Sequence, residues 1–351
     1  MGITLFAAWC GLVLMRILMR WVNVESDLAA DAIFTIPVQL GLLLALPFLM
    51  YKFVLGMNTR QVLEFSNVRR VKPIYLLLSI PLGVCVFVAT LGVSTVWQSL
   101  LILFGYTHTS SATAYPDRFN FAMFLASLIL TAVLPAICEE FAVRGGLLTT
   151  VKNSFRPQTT LVVMGVCFGL FHQNITQVFY TALFGAFTAF IAIRFKSILP
   201  TMIIHFINNG MSVYLDYAEA YGWWGGGFFD SISLMAETNL LSLLGTYVVI
   251  VGVGVGIVLL MLHLDKNEKM QKKKELIVDG GFDHTHNRVV LMGEENKALG
   301  EEVGMVKEVY GDAYTPDEKY KPTLRDSAFY IGTIVLSVLT TIFSFIWGLF
   351  Y

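Results

Sequence analysis

Charge is scarce in this chain. Asp, Glu, Lys and Arg make up 14% of the 351 residues, against about 25% in an ordinary soluble domain. An excess of either sign is also missing: 24 basic residues face 25 acidic ones, a net charge of −1. That balance excludes the basic footprint of a nucleic-acid-binding protein. Cysteine is rare. Cys10, Cys85, Cys138 and Cys167 each sit inside an apolar run. None has disulfide or metal-ligand spacing, so they read as small buried hydrophobes. No internal repeat period is visible. No basic residue precedes the first apolar run and no A-x-A site follows it, so no cleavable signal peptide is predicted. Phe6 stands where myristoylation of Gly2 requires Ser or Thr.

Apolar residues dominate instead, at 56%. Several runs are long enough to cross about 30 Å of hydrocarbon. The expected class is an all-α, polytopic membrane protein. Nine spans are predicted, at 3–22, 31–55, 73–105, 119–148, 158–173, 175–195, 197–216, 239–264 and 328–350. The third and fourth are long enough to be tilted, broken or extended out of the bilayer. The "GVGVG" of 252–256 reads as a close helix-packing surface, not a nucleotide loop.

Orientation follows from the short loops. The 52–72 loop holds Lys52, Arg60, Arg69, Arg70 and Lys72. The 149–157 loop holds Lys152 and Arg156, Arg194 and Lys196 flank a later turn, and "KNEKMQKKK" follows the eighth span. With nine spans all four fall on one side, predicted to be cytoplasmic. The other side carries "VESD", "GYTHTSSATAYPDR" and the acidic 216–237 loop. Arg16 and Arg20 fall on the wrong side and are expected to snorkel or pair. The chain thus divides into N-terminal helices (1–118), a core (119–216), a loop with the eighth helix (217–264), a charged cytoplasmic insert (265–327) and a last helix (328–351). In the insert, "DHTHN" at 283–287 holds an H-x-H pair, read as an exposed loop in preference to a metal site.

Polar residues at membrane depth are costly, about 2.5–3.5 kcal/mol each on insertion scales, and usually carry function. Three helices hold them. "ICEEFAVRGG" places Glu139, Glu140 and Arg144 near the end of the fourth span. Glu140 and Arg144 are four apart and can pair. Glu139 is rotated about 100° away, and Pro135 is expected to bend the helix nearby. "CFGLFHQN" supplies Phe168 and His172 on one face, and "IIHFINN" supplies His205 and Asn209 on one face, with Asn208 pointing elsewhere. Counted from the cytoplasmic ends, Glu139 lies about 15 Å deep, His205 about 12 Å and His172 about 21 Å. One cavity lined by Glu139, His172, His205 and Asn209, opening to the cytoplasm, is therefore expected.

A carboxylate with an imidazole can activate water as a general base. A second imidazole and a carboxamide can donate to a developing oxyanion. Together they suit amide hydrolysis. Glu139, His172 and His205 are equally a ligand set for a catalytic Zn²⁺.

The three motifs, "EEFAVRG" as E-E-x-x-x-R, "FGLFH" as F-x-x-x-H and "HFINN" as H-x-x-x-N, resemble the CPBP family of intramembrane proteases. This is the CAAX protease and bacteriocin-processing (Abi) group, which includes the type II CAAX prenyl endopeptidases. The resemblance covers 119–216. It implies a conical helical bundle around an intramembrane cavity, and an endopeptidase acting on a membrane-associated protein or peptide within the lipid bilayer. It implies Glu139 and His172 as the water-activating pair, His205 and Asn209 on the oxyanion side, and Glu140, Arg144 and Phe168 in support. The family has been described both as metal-dependent and as glutamate-type; the absence of H-E-x-x-H favours the metal-free form, with zinc the alternative. No G-x-S-x-G or G-x-G-D turn falls inside a span. A transporter or proton relay would show repeats and polar groups along a full path, which the apolar sixth and eighth spans lack. A non-catalytic immunity or scaffold protein of the same fold is the other alternative.

Overall fold

The computed structural model describes residues 2–19, 21–22, 27–107, 118–278, 282–283, 288–289 and 324–350. It divides into two compact units, Met1–Gly254 with Tyr320–Tyr351, and Val255–Lys319. In the first unit the helices are α1 (Gly2–Met19), α2 (Asp27–Val54), α3 (Thr59–Phe65), α4 (Pro73–Leu103), α5 (Phe121–Val151), α6 (Pro157–Phe171), α7 (Ile175–Phe195), α8 (Leu199–Tyr221) and α9 (Phe228–Thr238). Helix α10 (Leu240–Val278) contains the division between the units, and α11 (Leu324–Phe350) closes the chain.

A helix stands at each of the nine predicted spans. Six of them, α2, α4, α5, α7, α10 and α11, are long and apolar enough to cross a membrane. This is an integral membrane protein. Helices α1 and α6 are shorter apolar helices. Helix α8 is long enough, but it carries His205, Asn208, Asn209, Asp216 and Glu219. The long spans are not broken. Helix α4 continues through Pro81. Helix α5 passes Pro135 without interruption, with wider π-type turns at Ile129–Val133 and Glu140–Leu147. Such turns relieve the backbone bond that proline removes and recur at functional sites.

Close packing fixes the inner helices. A Cβ on Gly169 of α6 would meet the Val178 carbonyl of α7 at 2.5 Å, so only glycine permits that approach. In the "GVGVG" stretch, Gly254 packs on Cys85, while Gly252 has open space beside it. Cys138 is buried and Cys85 and Cys167 are half-buried, but Cys10 is exposed; all four are free thiols.

Three basic loops meet at one end of this unit. Ile198 N donates to Asn67 O (3.0 Å), Ser197 Oγ donates to Arg69 O (2.7 Å), and Asn67 Nδ2 donates to Thr149 Oγ1 (3.2 Å). Burial, and then the nearby charges of Arg69 and Lys196, hold the Lys152 ammonium below its usual range. Near the opposite end of α5 and α8 lies an aromatic cluster. Phe119 meets Tyr221 at 5.5 Å and Trp223 at 4.8 Å, and Phe124 meets Tyr217 at 5.0 Å. Rings of this kind suit a membrane interface.

In the second unit, the helix runs on to Val278, into the expected insert. His263 Nε2 and Asn267 Nδ2 lie 2.8 Å apart on it. Beyond it, Phe282–Asp283 pairs antiparallel with Arg288–Val289, with Phe282 opposite Val289. The His284-x-His286 pair, the rest of the insert to 323, Arg20, residues 24–26 and 108–117 lie outside the described residues.

Candidate active site

A cavity of about 320 Å³ lies between α4, α5, α6, α7 and α8. Glu139, Phe168, His172, His205 and Asn209, predicted from three separate motifs, all line it. Each arrives by a local feature. Glu139 sits where the Leu134–Glu139 turn passes into the wider Glu140–Leu147 stretch, which is buried throughout. His172 ends α6. Gln173 after it takes a left-handed φ of 51°, and Asn174 caps α7 by accepting from Thr176 N at 3.0 Å. His205 and Asn209 face the cavity one turn apart on α8.

Glu140 and Arg144 stand behind the wall. Both are fully buried and pair at 2.9 Å, as their i,i+4 spacing predicts. An ion pair out of water needs further partners to offset desolvation, and it has them. Arg144 also donates to Thr188 Oγ1, and its guanidinium lies 4.2 Å over the Phe168 ring. Glu140 Oε1 takes a second hydrogen bond from His205 Nδ1 at 2.9 Å. Phe168 therefore serves as a platform. Its ring also meets His172 edge-on at 5.0 Å and His205 at 6.2 Å.

The partners fix the imidazole tautomers. His172 Nδ1 lies 2.9 Å from the Phe168 carbonyl, which can only accept, so Nδ1 carries the proton. His205 Nδ1 faces a carboxylate already paired with arginine, so it too is the donor. That leaves Nε2 of each ring facing the cavity, an acceptor where the ring is neutral and a donor where it is protonated. That orientation also suits metal ligation. The spacing does not: among the described residues, no three His, Cys, Asp or Glu side chains gather closely enough to hold one ion. Glu139, His172 and His205 line one wall without forming a chelating cluster.

Several polar partners were not predicted. Gln39 of α2 is buried and donates from Nε2 to Glu139 Oε1 at 2.8 Å. The other carboxylate oxygen, Oε2, is buried with no hydrogen-bond partner among the described residues. Arg16 of α1, expected to snorkel or pair, donates to the His172 carbonyl at 3.0 Å and so pairs at the site. Asn208 does not point away from the site. It lines the cavity, accepts from Thr90 Oγ1 at 3.1 Å and donates to Asn209 Oδ1 at 3.0 Å. Asn209 Nδ2 in turn donates to Thr131 O at 3.0 Å. The cavity is wide enough, with α4 facing α8, for adjacent positions on α8 to share it.

The family model described as type II CAAX prenyl endopeptidase Rce1-like matches residues 120–211. No curated protein and no solved structure matches the chain. The matched residues hold all three motifs and most of the cavity wall. Residues 120–211 are thus similar to the Rce1-like type II CAAX prenyl endopeptidases.

Proposed function

We propose that this protein is an intramembrane endopeptidase that hydrolyses a peptide bond of a membrane-associated substrate, with Glu139 as the base. The observation that carries the reading is the state of its carboxylate. Glu139 lines the cavity; one of its oxygens is held by Gln39 and the other is buried with no hydrogen-bond partner among the described residues. A general base needs this arrangement: an anchored carboxylate with one oxygen free for water.

In this reading, water donates one hydrogen bond to Glu139 Oε2 and the other to His172 Nε2. Glu139 takes a proton as the water oxygen attacks the scissile carbonyl carbon. The carbonyl π pair moves onto oxygen, and Asn209 Nδ2 and His205 Nε2 donate to that oxyanion. With Nδ1 of His205 already donating to Glu140, donation from Nε2 requires the protonated ring. Glu140 supplies its counter-charge, and Arg144 and Phe168 hold Glu140 and His172 in place. Collapse of the intermediate breaks the C–N bond, and Glu139 returns its proton to the leaving amine. The basic loops lie on the cytoplasmic side, following the lysine and arginine distribution.

The test compares membrane-protein termini in cells carrying wild type or Glu139→Gln, by mass spectrometry at equal protein level. New termini present only with wild type are expected, and they name the substrate. Identical termini in both overturn the reading and return the protein to the scaffold class.

A further inference from the structure

His172 caps the end of α6, and α7 starts at Ile175. The turn between them is strained. Gln173 is buried and takes a left-handed φ of 51°. A residue other than glycine keeps that conformation only where its surroundings over-determine it. The turn also joins two helix ends, where backbone carbonyls and N–H groups lack a partner within their own helix. Asn174 satisfies one of them, by accepting from Thr176 N. Others are satisfied from distant parts of the chain. The His172 carbonyl accepts from Arg16 of α1 at 3.0 Å. Ile175 N donates to Ser344 Oγ of α11 at 2.8 Å. Trp97 Nε1 of α4 donates to Ile175 O at 2.6 Å.

These partners are themselves held in place. Near their starts, α1 and α11 meet through Phe6 and Phe329, edge-on at 5.9 Å. Ser344 Oγ donates its own proton to Thr341 O at 2.7 Å, which leaves its lone pairs for Ile175. One turn beyond Ser344, Gly348 lies so close under the Tyr106 ring that a Cβ would clash with it. Gly348 O also accepts from Thr107 N at 2.9 Å. The end of α11 is thereby fixed beside the end of α4, the helix that carries Trp97. Arg16, Trp97 and Ser344 all lie outside residues 120–211, the part that matches the family model.

We infer that Arg16 and Ser344 are positioning residues for His172: helices α1 and α11 brace the α6–α7 turn and set where the imidazole stands in the cavity. The bond from Nδ1 to Phe168 O fixes the rotation of the ring, and the braced turn fixes the backbone that carries it. Neither Arg16 nor Ser344 lines the cavity, so both act through His172. A displacement of about 1 Å in such a group can cost about 100-fold in rate. The inference rests on the protease reading for what His172 does there.

The test uses Arg16→Met, Arg16→Lys and Ser344→Ala in the full chain, purified in lipid. Its first reading needs no substrate. Diethyl pyrocarbonate modifies histidine at an unprotonated ring nitrogen, and mass spectrometry gives the rates at His172 and His205 in one sample. In Arg16→Met and Ser344→Ala the His172 rate is expected to rise several-fold. The His205 rate stays at the wild-type value, because its anchor is Glu140. Arg16→Lys keeps a donor and stays near wild type. The second reading is turnover of the substrate identified from the termini. In Arg16→Met, kcat is expected to fall by about 10–100-fold at unchanged KM, with Arg16→Lys recovering most of the loss. An unchanged His172 rate in both variants overturns the inference. Equal rises at both histidines mark a merely structural contact and overturn it as well, as does a selective rise at His172 with wild-type kcat. Failure of the protease reading would appear separately, as unchanged termini in the Glu139→Gln comparison.

Discussion

Helices α4 and α5 are alike by every average. Each has 31 residues, equal mean hydropathy, and 28% of its most apolar stretch buried. They differ in what they bury. Helix α4 hides Tyr75, Leu82, Phe87 and a Ser79 hydroxyl that donates to its own backbone at Tyr75 O. Helix α5 hides Glu139, Glu140 and Arg144. A buried charge cannot satisfy itself, so α5 recruits Gln39 from α2, Thr188 from α7 and His205 from α8. Helix α4 is held mainly by shape, with single neutral hydrogen bonds from Thr90 to Asn208 and from Trp97 to Ile175 O, whereas α5 is held by a charged network that comes into being only with the fold.

That contrast can be broken most severely at the ion pair. Arg144→Met leaves Glu140 buried without its counter-ion, and a loss of about 3–5 kcal/mol is expected. It reads as a large drop in thermal midpoint in detergent, while Ser79→Ala on α4 moves the midpoint little. Asn209→Leu is expected to keep the fold and remove the proposed oxyanion donor, so that kcat falls by about 10²–10³-fold at unchanged KM. Gln39→Met keeps side-chain length and removes the donor to Glu139. A loss of up to about 100-fold in kcat is expected from displacing the carboxylate, with the thermal midpoint near wild type. A Gln39→Met enzyme with full activity would make Gln39 a packing residue only. Thr90→Val, the α4 contribution to the network, removes one hydrogen bond to Asn208. About 1 kcal/mol, or roughly fivefold in kcat/KM, is the expected cost.

The sequence carried the site's donors because each motif keeps its members on one helix, where 3.6-residue spacing decides who shares a face. Glu140 with Arg144, and His205 with Asn209, are legible in that way. Hydropathy likewise located a helix at each predicted span. What it could not carry is contact across helices. Gln39 is one amide in "PVQLGLLLALP", and its partner lies 100 residues further along the chain. Arg16 looked misplaced because its acceptor is a backbone carbonyl at the end of α6, invisible to any pairing of charges. Asn208 was set aside by its rotation on the helix, a criterion that fails where the cavity is broader than one face.

The measurement that bears most directly on the central claim is turnover of the substrate identified from the termini. Purified wild type and Glu139→Gln are compared in lipid at equal folded amounts. If the Glu139 carboxylate activates water, the variant binds substrate as wild type does and cleaves it about 10²–10⁴-fold more slowly. Cleavage by Glu139→Gln at the wild-type rate would contradict the account.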